Sequence, residues 1–464
     1  MSGIAGVNRP GETTLVTKML DKISYRGHGQ PIILESLGNT LGVYENSPEW
    51  IRQPVSLRET SVWDGPRPPM PIPDQISKFS SAFSLASATP EGLILARDTL
   101  GVRPLYYGYT DDGAFCFASE VKALMEATYN INEFPPGYWM DHEQKLHQYH
   151  KVEVTIPSNL PPEVLVGHLR LLLEKAILRR IEAAEMGSWL SGGLDSSAIA
   201  SLVRPHVKTL HSFAGGFEGS PDIEYARQVA TFLDTKHHEV IVTVEELINV
   251  LPDVIYHMES FDALLIRSTL MNYLVAREAS QYVHSSFSGE GGDELFGGYE
   301  YLQSMQMEQL PAELVDITKR LHNTALQRVD RSASAHGLVI YVPLLDKDIV
   351  EFALQTPPSM KISRSGDNLM EKSIFRQAVR GNLPEEVLWR PKAKFWEGAG
   401  VETLLDVYAN EHVSDSDFAS ERILPNGWQI NTREELMYYR IFKEQFGDLT
   451  DLDWMGRTKG APVA

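Results

Sequence analysis

The sequence predicts two folded units in series: a mostly β, or α+β, unit over the first ~150 residues, then an α/β domain with a parallel sheet and a helical C-terminal part. Three observations predict this. Short β-like runs broken by turn signals fill the first stretch: Gly92–Ala96 (GLILA), Leu105–Tyr109 (LYYGY) and Phe115–Ala118 (FCFA), with Asp111–Asp112–Gly113 between the last two. From residue 163 strand-like and helix-like segments alternate, the signature of parallel strands covered by helices on both faces. Between the first strand and helix of that alternation lies a glycine-rich loop, Leu190–Ser197 (LSGGLDSS).

The elements follow in order. Pro157, Pro161 and Pro162 punctuate a linker, which places the units at 1–155 and 160–464. Val164–Ala183 carries Val164, Leu169, Leu172, Leu173, Ala176 and Ile177 at helical spacing. A strand at Ser188–Leu190, the loop, and a helix at Ser197–Val203 come next. Strands at Thr209–Ala214 and His238–Val242 then alternate with helices at Ile223–Leu233 and Val244–Tyr256, and beyond residue 300 the pattern is mainly helical. The turn-rich segment Arg58–Phe79, with Gly65–Pro69 and Pro71–Pro73, reads as an irregular surface connection; an extended partner-binding stretch is the alternative.

Composition narrows the function classes. One cysteine, Cys116, excludes intrachain disulfides and multi-cysteine zinc or iron–sulfur sites. The 42 Lys+Arg against 62 Asp+Glu give a formal charge of −20, against the basic footprint of a nucleic-acid binder. The longest apolar run, Gly337–Leu345, has nine residues and contains a proline, short of the ~20 a membrane span needs. No charged segment precedes an apolar core at the N-terminus, so a cytoplasmic location is expected, with no nucleic-acid or membrane partner.

Two loops carry chemistry. In Ser191, Gly192, Gly193, Leu194, Asp195, Ser196 and Ser197, the glycines let backbone N–H groups converge on an anion, the following helix adds its dipole, and the serines add hydroxyl donors. Asp195 would repel a bare phosphate, so it is assigned to a bridging magnesium ion. No Lys-Ser/Thr pair closes the loop, so it is not of the Walker type; it resembles the pyrophosphate loop of enzymes that cleave ATP between its α and β phosphates. The second loop, Ser288–Tyr299 (SGEGGDELFGGY), sets three carboxylates among five glycines. Burying them requires a cation or a bound amine or hydroxyl. Asp293 is the natural second magnesium ligand, and Glu290 the carboxylate facing the reacting centre.

Together the loops resemble the synthetase domain of the asparagine synthetase B family. Leu210–Phe213, Gly219–Asp222, His237–Glu239, Asp253–His257, Met370–Lys372, Leu388–Lys392 and Glu434–Phe446 follow that family in order, over about residues 165 to 447. The resemblance implies ATP contacts from Leu190, Ser288, Gly289 and the Phe213–Gly216 stretch, which includes Gly215. It implies pyrophosphate on Ser191–Ser197, magnesium on Asp195 and Asp293, and Lys392 facing the α-phosphate and an acyl-adenylate. The implied cofactors are ATP and Mg2+, the substrates a small carboxylic acid and ammonia or an amine, and a homodimer is left open.

The first unit resembles the class II glutamine amidotransferase domain, through Ser2–Gly6, Tyr25–Gly27, Leu95–Tyr107 and Phe117–Leu124. That resemblance implies an Ntn-hydrolase-like αββα sandwich. The family attacks glutamine with an N-terminal cysteine; here the position is Ser2, a far poorer nucleophile unless a base activates it. The family's glutamine-binding Asn-Gly-Glu-Ile-Tyr-Asn segment is absent, its place taken by Arg58–Phe79, and at 464 residues the chain is short beside the full pattern. A lost glutaminase is expected.

The synthetase half departs as well. The family's Thr-Thr-Ile-Arg reads Leu264–Leu265–Ile266–Arg267 here, and its Glu-x-Arg-x-Pro reads Val339–Ile340–Tyr341–Val342–Pro343. If Leu265, Arg267 and Tyr341 line the acyl-substrate pocket, that pocket is less suited to aspartate. The related β-lactam synthetases place a tyrosine at the Glu290 position, paired with the glutamate of Glu-x-Arg; neither is present, and Tyr341 is the one candidate substitute. The expectation is an AMP-forming amide ligase acting with ammonia. An amide or lactam synthetase with its own amine is the runner-up, and a non-catalytic ATP-binding scaffold the third reading.

Overall fold

The computed structural model describes residues 1–46, 60–69, 72, 75–365, 368–390 and 401–458. The first unit is a sandwich of two antiparallel sheets. One has the order β2 (Ile32–Ser36), β3 (Asn39–Tyr44), β1 (Gly3–Val7), β8 (Phe115–Ala118), β7 (Tyr106–Tyr109), β9 (Asn132–Glu133). The other runs β11 (Leu146–Gln148), β10 (Tyr138–Met140), β6 (Gly92–Arg97), β5 (Ser84–Thr89), β4 (Thr60–Asp64). Strand alternation divides the apolar residues between faces. Ile4, Leu41, Val62, Ala86, Leu95 and Phe117 fill the space between the sheets, whereas Ala5 and Val7 face Val16, Met19 and Leu20 of helix α1 (Thr13–Asp21).

Two expectations change here. Among the described residues only the first sheet carries helices, α1 and α2 (Val121–Leu124). Among the described residues the outer face of the second sheet is packed instead by Ile72, Ile76 and Phe83 around the 3-10 turn Ile76–Lys78, so these residues show an αββ arrangement where αββα is expected. Pro66, Pro68 and Pro69 each lack the backbone donor that a helix interior needs. The same segment is more than a surface connection. It begins with β4, paired to β5 from Thr60↔Ala88 to Asp64↔Ser84, and Val62, Ile72 and Ile76 are buried. Residues 58, 59, 70, 71, 73 and 74 lie outside the described residues.

After a stretch without regular structure, helix α3 (Pro162–Leu178) starts the second unit, burying Leu165, Leu169, Leu173, Ala176 and Ile177. Val164, placed on that face by spacing, is exposed. The second unit's sheet is entirely parallel, in the order β14 (Lys236–Ile241), β13 (Thr209–Gly216), β12 (Glu185–Trp189), β15 (Ser285–Phe287), β16 (Val339–Tyr341). Helices α4 (Leu194–Val203), α5 (Pro221–Leu233), α6 (Val244–Met258) and α7 (Ala263–Ala279) join its strands. Strand β13 is buried from Leu210 to Gly216, as a strand covered on both faces must be. One apolar core runs from α1 and α2 through this sheet, so the units pack against each other. Cys116 is in β8 with no exposed surface, and burial pushes its thiol up to about 12.

Candidate active site and the Ser2 region

The two glycine loops leave neighbouring strands of the parallel sheet, at their C-terminal ends, where open α/β sheets bind ligands. Strand β12 feeds Leu190–Gly193 into α4, and β15 feeds Ser288–Gly291 into the short helix α8 (Gly292–Phe296). Leu190 N–H donates to the Phe213 carbonyl at 2.8 Å, and Ser288 N–H to the Tyr341 carbonyl at 2.8 Å. Both loops therefore start from fixed points. Gly192 has φ +69°, a conformation that disfavours side chains. At Gly289 a Cβ would lie 2.6 Å from the Ser196 nitrogen, so only glycine lets the second loop meet the start of α4. Ser191 and Ser196 share a hydroxyl contact of 3.0 Å, and the Ser197 hydroxyl is buried with no protein partner. Gly215 ends up inside β13, packed so closely on Met271 and Val275 that a side chain would collide with them.

Asp195 and Asp293 converge on one point, and Lys372 fills it. The Lys372 Nζ is 2.5 Å from Asp195 Oδ2 and 2.6 Å from Asp293 Oδ1. Burial alone would push this ammonium's pKa down; the two carboxylates outweigh that and hold it above its usual range. Oxygen donors from two carboxylates suit a hard divalent cation. No group of three or more His, Cys, Asp or Glu forms a complete metal site among the described residues, so further ligands would come from phosphate and water. Lys372 ends the Met370–Lys372 segment of the family pattern, and nothing in the sequence assigns it a role. It lies 177 positions from Asp195, and only the requirement that clustered carboxylates find a cation hinted at it.

Glu290 is held by Arg328, whose Nη2 lies 2.7 Å from Glu290 Oε1. Glu294 is buried beside it and accepts a hydrogen bond from the Tyr299 hydroxyl. Burial, with the neighbouring Asp293 charge, raises the Glu294 carboxyl to about 7. Lys392 lies outside the described residues. Two residues earlier, Arg390 donates to the Gly192 carbonyl at 3.1 Å and to Asp222 Oδ1 at 2.7 Å, tying its segment to the first loop.

The residues assigned to an acyl pocket are held by separate partners. Leu265 is buried in the first turn of α7, where its N–H donates to Asp262. Arg267 is buried against Glu434, its Nε 2.8 and 2.9 Å from the two carboxylate oxygens, and the Tyr438 hydroxyl donates to the same carboxylate. The Tyr341 hydroxyl donates to Glu182 at 2.7 Å, on the side facing the first unit.

Ser2 is in a different environment. It is 4% exposed, and its N–H donates to Asp64 Oδ1 at 2.7 Å. Its carbonyl accepts from Arg26 Nε at 3.0 Å. Arg26 also reaches Asp64 at 2.9 Å, Glu120 at 2.7 Å and Asp330 at 2.8 Å, with no exposed side-chain surface. Arg103 meets Asp330, Arg331 meets Glu120 and Glu259, and Lys122 meets Glu259. The cations Arg26, Arg103, Lys122 and Arg331 thus balance the anions Asp64, Glu120, Glu259 and Asp330 in one buried, neutral cluster. Glu259, Asp330 and Arg331 belong to the second unit, so the cluster locks the units together.

Comparison with known proteins follows the same division. The asparagine synthase family model matches residues 168–316 and 303–454, and the glutamine amidotransferase domain model matches residues 74–157. A probable glutamine-hydrolysing asparagine synthetase of Schizosaccharomyces pombe is 38% identical over 80% of this chain and 73% of its own. Asparagine synthetase 2 of Oryza sativa is 36% identical over 79% of this chain and 65% of its own. Asparagine synthetase B of Escherichia coli is 34% identical over 79% and 69%. The chain therefore spans about two thirds of the length of several relatives it matches. Among solved structures, NMN synthetase from Francisella tularensis overlaps at a TM-score of 0.30 and 13% identity, covering 63% of this chain and 98% of that one, too loose a likeness to bear on the reading.

Proposed function

Since the chain belongs to the asparagine synthase family, we propose that it is an ATP-dependent, AMP-forming amide ligase that has lost glutamine hydrolysis and uses ammonia. One observation carries the ligase reading: Asp195 and Asp293, from loops on neighbouring strands, converge on a single cation position beside the Ser191–Ser197 loop. Leu190, Ser288, Gly289 and the Gly215 stretch would flank the nucleotide, and the serine-rich loop would hold its β and γ phosphates. Asp195 and Asp293 would hold magnesium, which supplies charge neutralisation on the phosphates when bound. Lys372, released from the carboxylates, is then free to pair with phosphate.

The substrate carboxylate attacks the α-phosphorus, and the bond to the β-phosphate breaks, giving acyl-adenylate and pyrophosphate. Lys392 stabilises the charge that grows at the α-phosphate. The nitrogen nucleophile then attacks the acyl carbon, Glu290 accepts its proton, and AMP leaves. Arg328 suits Glu290 to this by keeping the carboxylate aimed and fixed. Glu290→Gln should keep ATP–pyrophosphate exchange and lose amide formation, whereas Lys392→Ala should lose both. Full amide synthesis by Glu290→Gln would remove the base assignment.

Loss of glutaminase is supported by the surroundings of Ser2. The residue has little exposed surface to meet a substrate, and Asp64 and Arg26 occupy its neighbourhood. A second reading, a ligase for an acid other than aspartate with its own amine, is favoured by one observation. Arg267 is already neutralised by Glu434, and Tyr341 stands at the family's other arginine position. Neither offers a free guanidinium to a second substrate carboxylate. A panel of carboxylic acids in ATP–pyrophosphate exchange, each followed by ammonia, decides between aspartate and another acid. On either reading the substrates are small molecules, a cytoplasmic setting suits them, and a homodimer is compatible.

A further inference from the structure

A cavity of about 430 Å³ lies between the two units; none of its lining residues belongs to the nucleotide loops, although its walls Tyr341 and Leu345 touch the second loop. Trp63, Arg67 and Ser81 of the first unit and Glu182, Ile340 and Val342 of the second stand in its walls. Its volume suits a small metabolite. What distinguishes it is the state of its charges. The wall arginines Arg179 and Arg180 are already paired with Asp346, and Arg179 also with Asp348. Arg103 is paired with Asp330. The Asp98 carboxylate is filled by backbone N–H groups of Phe83, Leu100, Val102 and Arg103.

Two charges remain with no ion-pair partner among the described residues: Arg67, whose guanidinium lies 5.3 Å over the Trp63 ring, and Glu182, which accepts only the Tyr341 hydroxyl. A cavity with one free cation, one free anion, and apolar wall between them is complementary to a small zwitterion. We propose that this cavity binds a free α-amino acid. The α-carboxylate pairs with Arg67, whose planar fork suits it. The α-ammonium pairs with Glu182, and an uncharged side chain lies against Trp63, Ile340 and Val342. A charged side chain is disfavoured because the described residues present no third unpaired charge to meet it. Since the walls come from both units, the ligand would report to the synthetase sheet through β16. Binding itself does not depend on the ligase reading.

The test is calorimetry on the full chain, without nucleotide, using L-alanine, L-serine, L-leucine, L-glutamine, L-aspartate and L-lysine. At least one uncharged amino acid should bind saturably, with a dissociation constant under about 10 mM. Its N-acetyl derivative and its α-amide each lose one charge, and each should bind about tenfold more weakly. Arg67→Ala, at a half-buried position, and Glu182→Gln, at an exposed one, should weaken binding by a similar factor while ATP affinity stays unchanged. Ala82→Trp, which fills the cavity, should abolish it. If the amino acid then enters the product with ATP it is the acyl acceptor; if it only changes the rate it is an effector; either supports the site. No binding by any of the six, or binding untouched by both Arg67→Ala and Glu182→Gln, overturns it.

Discussion

Two buried glutamates titrate in opposite directions, and the contrast separates the two halves of the molecule. Glu294, beside the nucleotide loops, is raised to about 7 by burial and by the neighbouring Asp293. Glu120, near Ser2, is also penalised by burial, but Arg331, Lys122 and Arg26 overcome it and hold the carboxylate well below its usual range. In the first region negative charge exceeds the positive charge that the described residues supply to balance it, the state of a site awaiting cations. In the second, four cations and four anions neutralise one another, and nothing is left for a ligand. Sites are recognised by charge left uncompensated, and the Ser2 region has none.

The largest effect is expected from Arg26→Ala, which removes the cation shared by Asp64, Glu120 and Asp330 and leaves the buried cluster one positive charge short. Removing one partner of a buried ion pair costs about 3–5 kcal/mol, and urea denaturation should show at least that; a loss under about 1 kcal/mol would mean the cluster is not a structural lock. Next is the pH dependence from Glu294. The folded chain keeps its proton up to about 7, against 4.5 in the unfolded chain, so stability is full below 4.5 and falls as pH rises through 7. The fall amounts to about 3 kcal/mol. Glu294→Gln should remove it, so variant and natural chain diverge as pH rises. Identical pH profiles would deny the uncompensated charge.

Asp293→Asn should lower ATP–pyrophosphate exchange by about a hundredfold, or ~2.7 kcal/mol of transition-state stabilisation, while leaving the fold intact; the expected rise in stability at neutral pH sharpens the contrast with Arg26→Ala. The smallest effect belongs to Ser2→Ala, expected to change stability by no more than ~0.5 kcal/mol and to leave ammonia-dependent synthesis unchanged. Lost activity in that variant would put chemistry back at Ser2.

Much of this was legible in the sequence for physical reasons. Alternating apolar segments bounded by glycines located β12 to β14 and α4 to α6 within a few residues, since burial on both faces leaves little choice of pattern. The two loops were legible because glycine and carboxylates crowd where backbone must approach phosphate. What escaped depends on distant partners. Lys372 has no local signal, and its carboxylates lie far away in sequence. Tyr25–Arg26–Gly27 carries only a family resemblance in the sequence, yet Arg26 anchors a cluster reaching Asp330, which no spacing reveals. The Arg58–Phe79 stretch reads as surface because its prolines dominate. The alternation around Val62, which makes β4 a core strand, is too short to stand out beside them.

The central claim is that one chemistry was kept and the other removed. Its most direct test is a single preparation assayed twice: ATP–pyrophosphate exchange across a carboxylic-acid panel, and glutamate release from L-glutamine with and without ATP. Exchange with at least one acid and no release of glutamate is the predicted result. Glutamate released at a rate matching amide synthesis, and abolished by Ser2→Ala, would contradict it.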